Sequence, residues 1–258
     1  MEFHTVVCIK SVVMNAPEGQ VVRLPESSIL NPFDLPAVEM ALRIREERGG
    51  KITALSMGPD STSLALYDCI ALGADRAVLI TDPALAGSDT LVTSTVLCKA
   101  INRLSEVDLV LFGTRTSDSD TGQVGPQTAT LLGFPIITGV YEIENKERSL
   151  TVIRKSDEFA EKYEIGLPCA ITVHPTAVQP RDARLFGIES AFREGKVEKI
   201  GLSDLGLPSG SVGEAGSPTR VLSTSPIKKE RKCDFITGSV EDQAVKIVTY
   251  LKSKGFIG

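Results

Sequence analysis

Tryptophan is absent from the 258 residues, and histidine occurs only twice, at His4 and His174. That supply of imidazole leaves no histidine-rich metal site, and no metal-ligating set is expected. The five cysteines, Cys8, Cys69, Cys98, Cys169 and Cys233, are odd in number and widely spaced, with no Cys-x-x-Cys pair. This argues against a disulfide framework or zinc site and fits reduced thiols in a cytoplasmic or matrix compartment, the cytoplasm being the expected one. Also missing are the Gly-x-Gly-x-x-Gly fingerprint and the Walker A loop, so the common dehydrogenase type of dinucleotide fold is not supported. No serine stands in a Gly-x-Ser-x-Gly elbow, no cysteine has an evident histidine partner, and no catalytic residue is assigned. Met1–Lys10 has no basic region ahead of an apolar stretch, and no apolar run reaches membrane length. Neither a signal peptide nor membrane insertion is expected. A net charge of −5 and a pI near 5.3 argue against nucleic acid as the main partner, which needs a concentrated basic surface. The short run Lys228, Lys229, Arg231 and Lys232 reads as a solvated segment.

What is present is an alternation of short apolar runs and amphipathic segments. Strands are expected at Thr5–Ile9, Ile52–Met57, Ala77–Ile80, Val107–Phe112 and from Ile136 to Thr138. Helices are expected from Leu35 to Arg48, stopped by Gly49-Gly50, and over Ser63–Leu72, Asp89–Arg103 and Gln123–Leu132, with Asp34 as a cap and Pro36 tolerated in the first turn. This order implies a doubly wound α/β domain with a parallel sheet and right-handed crossovers. After about residue 140 the pattern turns antiparallel, with Tyr141–Ile143, Leu150–Ile153 and Tyr163–Ile165, before a last core strand at Ala170–Val173. Beyond Pro175, glycines and prolines crowd the chain until a helical face returns over Val240–Ser253. The expected division is an α/β nucleotide-binding domain over 1–175 and a C-terminal docking loop and arm over 176–258. An arm that wraps a partner and a flexible tail are both compatible with that composition.

Ligands in such sheets sit at the carboxyl ends of the strands, so the loops after strands matter most: Lys10 onward, Met57-Gly58-Pro59 and Gly113–Asp120. The last continues through Thr121, Gly122, Gln123, Val124 and Gly125 into a helix. Small residues there let the backbone approach a ligand, and free amides at a helix start hold phosphate. Asp118 and Asp120 are unsuited to phosphate but could cap the helix or bond a ribose hydroxyl; a capped surface loop is the alternative. Asn31-Pro32-Phe33-Asp34 reads as a turn and helix start, and Ser88-Asp89-Thr90 as a cap with a nucleotide-binding alternative.

Taken in order, Val7-Cys8-Ile9-Lys10, Asn31-Pro32-Phe33-Asp34, Ser56-Met57-Gly58-Pro59, Ala71-Leu72-Gly73-Ala74-Asp75-Arg76, Asp118 to Gln127 and Pro180-Arg181 resemble the electron-transfer flavoprotein beta subunit. The resemblance runs nearly the whole chain. It implies a heterodimer with an alpha subunit, FAD shared with or bound by that subunit, and a second nucleotide in the beta subunit. That nucleotide is AMP in simple carriers and FAD in electron-bifurcating members, which oxidise NADH there. Carried over by position, the resemblance implies a pocket made by Cys8, by Asn31, Pro32, Phe33 and Asp34, and by Met57. It adds the stretch Asp118, Ser119, Asp120, Thr121, Gly122, Gln123, Val124, Gly125, Pro126, Gln127, Thr128 and Ala129. Asp118 to Pro126 is similar to the loop of the bifurcating relatives, with Ser119 in place of a glycine, a substitution that costs backbone freedom if that position needs a positive φ. Pro180, Arg181 and Leu185 are similar to the loop that docks flavin dehydrogenases such as acyl-CoA dehydrogenase, Leu185 being its apolar anchor; a core leucine is the alternative. The implied role is electron carriage with no acid–base chemistry of its own, or an oxidoreductase if bifurcating. A sensor-type α/β protein that binds ATP or AMP is the rival from another class.

Overall fold

A computed structural model of the chain describes residues 2–13, 28–156, 159–220, 222–223 and 233–257. The run Lys228 to Lys232 lies outside them. The chain divides into two compact units, Met1–Leu222 and Ser223–Gly258.

The first unit begins with β1 (His4–Cys8), buried throughout, then a small antiparallel ladder of β2 (Ser11–Val13) and β3 (Ser28–Leu30). There follow α1 (Leu35–Arg48), β4 (Lys51–Met57), α2 (Ser63–Leu72), β5 (Arg76–Ile80), α3 (Thr90–Arg103), β6 (Leu109–Gly113) and α4 (Val124–Leu132). Each helix stops where the backbone allows it. Gly73 and Gly133 follow α2 and α4 with positive φ, a conformation that closes the last helical carbonyls cheaply in glycine. Next come β7 (Ile136–Asn145), β8 (Ser149–Ser156), β9 (Phe159–Gly166) and β10 (Cys169–Val173). β7 is one strand where the sequence suggests two short ones. It pairs parallel with β10 at its start and antiparallel with β8 at its end, and its register slips on both sides. Gly139, at φ +69°, supplies the irregular backbone between the two halves.

The stretch past Pro175 holds more regular structure than its glycines and prolines suggest. It forms α5 (Leu185–Arg193), β11 (Val197–Ile200), α6 (Leu202–Leu205) and α7 (Gly213–Gly216). β11 pairs parallel with β5 at the sheet edge, so residues 176–222 belong with the first unit. In the second unit α8 (Val240–Ser253) spans the expected residues, and Ser239 caps it by accepting from the Asp242 amide.

The nine strands run in the order β11-β5-β4-β1-β6-β10-β7-β8-β9, parallel as far as β7. Helices cover both faces, as a parallel sheet requires. Val7, Leu109, Leu111 and Ile171 pack under α1 and α2, while Val6, Cys8, Val110 and Phe112 pack under α3 and α4. Crossovers leave β1 toward β4 over one face and β6 toward β7 over the other. The neighbours β1 and β6 therefore flank a topological switch point, and their carboxyl ends open a crevice.

Candidate functional site

That crevice is a cleft of ≈ 1200 Å³. Its floor is the carboxyl edge of the sheet at Cys8, Met57 and Phe112, and its walls are the loops that follow β1, β4, β5 and β6. Lys10, just past β1, reaches across to the loop after β6: its ammonium lies 2.7 Å from Asp118 Oδ1 and 3.3 Å from Ser119 Oγ. Partial burial raises the pKa of Asp118, but its hydrogen bond and charge contact with Lys10 outweigh this and hold it below the usual range. The aspartate that looked unsuited to a phosphate site is thus neutralised by its partner.

Asp34 departs from its expected role. It stands at the helix start but makes no cap bond; its Oδ2 instead accepts from the Lys10 amide at 2.8 Å. A Cβ at Gly113 would lie 2.3 Å from Asp34 Oδ1. The buried carboxylate thus sits where the loops after β1 and β6 meet. Burial pushes it up to about 7, against bonds from Lys10, Asn31 and Gly113 that pull it down. A carboxyl raised in the fold stabilises most below its unfolded value near 3.8 and loses that contribution as pH rises through 7. Each pH unit between the two removes about 1.4 kcal/mol. His4 and His174, both held below the usual imidazole range, act in the opposite sense over the same window. Denaturant midpoints from pH 5 to 8 should therefore fall in the native chain relative to Asp34→Asn, whatever constant loss the amide brings; equal slopes would contradict this.

The start of α4 is the feature best suited to an anion. Gln123 gives it no side-chain cap, so its first amides are not satisfied by a side chain and carry the positive end of the helix dipole. Gly125 sits flush on the sheet: a Cβ would come within 3.1 Å of Thr172 Cγ2 and 3.2 Å of the Phe112 ring. The turn before it takes positive φ at Asp120 (49°) and Gly122 (63°) and not at Ser119, so the serine there costs no such strain. α3 differs, because Asp89 caps it by accepting from the Val92 amide at 3.0 Å and also binds the Thr219 amide at 3.0 Å. Thr90 donates to Gln123 Oε1 at 3.0 Å, tying the two helix starts together. Burial pushes the Cys8 thiol up, with Asp34 adding to the effect, so it meets the cleft as a neutral, nearly apolar group.

An electron transfer flavoprotein domain model matches residues 19–205. The chain is 38% identical over 237 residues to the electron transfer flavoprotein subunit beta of Thermoanaerobacterium thermosaccharolyticum, covering 92% of this chain and 91% of that protein. It is 35% identical over 248 residues to the caffeyl-CoA reductase-Etf complex subunit CarD of Acetobacterium woodii, covering 95% and 94%. With protein FixA of Azorhizobium caulinodans it shares 38% over 234 residues, covering 84% and 82%.

The chain belongs to the electron transfer flavoprotein family.

Its match to a beta subunit over about nine tenths of both chains makes it an electron-transfer protein of that type, and beta subunits of the family pair with an alpha subunit. No helix among the described residues is long and apolar enough to cross a membrane, and no group of three or more His, Cys, Asp or Glu among them could hold a metal. Of the positions that the family resemblance assigns to a nucleotide, the cleft brings together Cys8, Asp34, Met57, Asp118, Ser119, Thr121, Gly122, Gln123, Val124 and Gly125. Asn31, Pro32, Phe33, Asp120, Pro126, Gln127, Thr128 and Ala129 are not in its lining. Several of these act from behind it. Asn31 holds the β6 loop by donating to the Arg115 carbonyl at 3.0 Å and accepting from the Ser117 amide at 3.3 Å. The Arg115 guanidinium lies 4.6 Å from the centre of the Phe33 ring, and Gln127 Oε1 accepts from Ser94 at 3.2 Å. Thr128 and Ala129 are fully buried.

The cleft also takes in Lys10, Thr81, Asp82, Leu85 and Thr219. The loop after β5 was findable by the same rule that picked out the other strand ends. Thr219 lies in the run Gly216 to Arg220, which is similar to that of anaerobe-type subunits of the family, and the fold returns it to α3. Away from the cleft, Leu185 is 83% exposed, which excludes the core reading of that residue. Pro180 is half-buried, and Arg181 is ion-paired to α1.

Proposed function

We propose that the chain, as a heterodimer with an alpha subunit, passes electrons between a flavin dehydrogenase, such as an acyl-CoA dehydrogenase, and an acceptor, and that its switch-point cleft holds FAD. The choice of FAD over AMP rests on the loop Asp118 to Pro126, which is similar to that of the bifurcating relatives that hold FAD there. The cleft, ≈ 1200 Å³, has room for a dinucleotide. Two features support a phosphate-bearing ligand: the uncapped start of α4, and Gly125, where a side chain would disturb the seating of that helix.

The α4 amides, with the Thr121 hydroxyl, would hold the phosphates. Cys8, Phe112 and Leu97 would give the ligand an apolar, water-poor wall. When bound, FAD supplies the redox chemistry, and the protein binds, orients and tunes it. The carboxylates of the cleft are otherwise engaged: Asp118 by Lys10, Asp60 by Lys199, Asp82 and Asp89 as caps, Asp34 at the loop junction. That suits a carrier with no acid–base step of its own. The same loop favours a second reading, in which the heterodimer also oxidises NADH at the beta-bound flavin. On the opposite task, partner recognition, the exposed Leu185 and its neighbour Phe186 support dehydrogenase docking.

Replacing Gly125 by Val in the heterodimer should lower released flavin from about two FAD to about one, leaving the alpha-bound flavin in place. Flavin content unchanged from the native heterodimer would place the beta nucleotide elsewhere.

A further inference from the structure

Arg181 is engaged within the chain and faces no partner with a free guanidinium. Its Nε lies 2.7 Å from Glu39 Oε2 and its Nη2 3.1 Å from Glu39 Oε1, a bidentate fork. Its Nη1 lies 2.6 Å from Glu46 Oε1, and its backbone amide donates to Glu39 Oε2 at 3.2 Å. Both carboxylates stand on α1, seven residues apart, on one face of the helix. Glu39 is only 4% exposed, and Arg43 adds a further bond to it at 2.9 Å. A carboxylate so deeply buried is tolerable because it is paired and fully bonded. Burial alone would raise its pKa, yet the bonds from Arg181 and Arg43 hold it below the usual range.

α5 begins four residues after Arg181 and is fixed at two more points. Gly187 lies against α2 so closely that a Cβ would stand 2.5 Å from the Ala71 carbonyl oxygen, and Phe192 stacks on Tyr67 of α2 with ring centres 5.0 Å apart. These contacts leave the first turn of α5 presenting Leu185 and Phe186, 83% and 80% exposed.

We infer that Arg181 is a positioning residue for partner docking: with Glu39 and Glu46 it clamps the approach to α5 onto α1, so that Leu185 and Phe186 are presented in a fixed place. The occupant is the flavin dehydrogenase, and the inference rests on the docking role proposed above. A clamp of this kind raises affinity by removing the ordering a loose loop would undergo on binding. It acts on encounter and affinity and leaves electron transfer inside the complex alone.

The test uses the complete heterodimer with Arg181→Ala, Arg181→Lys, Leu185→Ala and the Arg181→Ala/Leu185→Ala double variant. Two readouts are taken: amide hydrogen exchange across Leu185–Arg193, and reduction of the heterodimer by a purified acyl-CoA dehydrogenase. Arg181→Ala should speed exchange in α5 about tenfold or more while α1 keeps its protection. It should raise the KM for the heterodimer roughly tenfold with kcat unchanged, and add little on top of Leu185→Ala. Arg181→Lys, which cannot make the fork, should fall between. Native exchange in α5 with Arg181→Ala would overturn the inference. So would a KM rise that adds fully to that of Leu185→Ala, which would make Arg181 itself a partner contact. If Leu185→Ala leaves KM unchanged, the docking role fails and the exchange data alone decide the clamp.

Discussion

Gly113→Ala should unfold the domain at markedly lower denaturant, with a loss of about 3 kcal/mol or more. The residue closes β6 at the switch point, where backbone and a buried carboxylate crowd in. An added Cβ would lie 2.3 Å from Asp34 Oδ1 and 2.4 Å from the Phe33 carbonyl oxygen. Neither neighbour can yield cheaply. Phe33 belongs to the turn that enters α1, where the Asp34 amide bonds the Asn31 carbonyl at 2.9 Å, and Asp34 also holds the Lys10 amide. Moving them parts the two loops that flank the cleft, so nucleotide binding should weaken along with stability. Equilibrium denaturation of the purified chain measures the first effect. A loss below about 1 kcal/mol would show that the junction is looser than its geometry indicates.

Leu185→Asp should do the reverse, sparing the fold and crippling transfer. At 83% exposure the side chain contributes little to the folded state, so stability should stay within about 0.5 kcal/mol of native. Reduction of the heterodimer by its dehydrogenase should need ~30-fold more carrier to reach half-maximal rate, the size expected when a central apolar anchor worth about 2 kcal/mol is lost. A rise in KM of less than about threefold, with the fold intact, would move the docking surface away from α5.

The sheet was legible because its strands are buried on both faces and read as unbroken apolar runs, as in Leu109 to Phe112. β11 was not, because Val197–Ile200 is a short edge strand carrying Glu198 and Lys199 between glycines. α5 escaped for a different reason: Leu185, Ile188, Ala191 and Phe192 do stand at helical spacing, but the helix is only nine residues long, carries Gly187 inside it and lies in a stretch crowded with glycine and proline. In the cleft, the strand-end rule located the loops but not their bonding. Lys10 and Asp118 stand 108 residues apart, and no local pattern announces their ion pair. Asp34 was misread because a helix-start aspartate caps by default. Here the nearby Lys10 amide, at the far end of β1, competes for the carboxylate and wins.

The most direct test is to co-express the chain with its alpha subunit, purify the heterodimer, release the bound nucleotides with acid and count them. About two FAD per heterodimer and no AMP is the expected result, with one flavin in the cleft between β1 and β6. One FAD with one AMP would keep the carrier role and contradict the assignment of FAD to the beta cleft. No stable heterodimer and no flavin would contradict the proposed function as a whole.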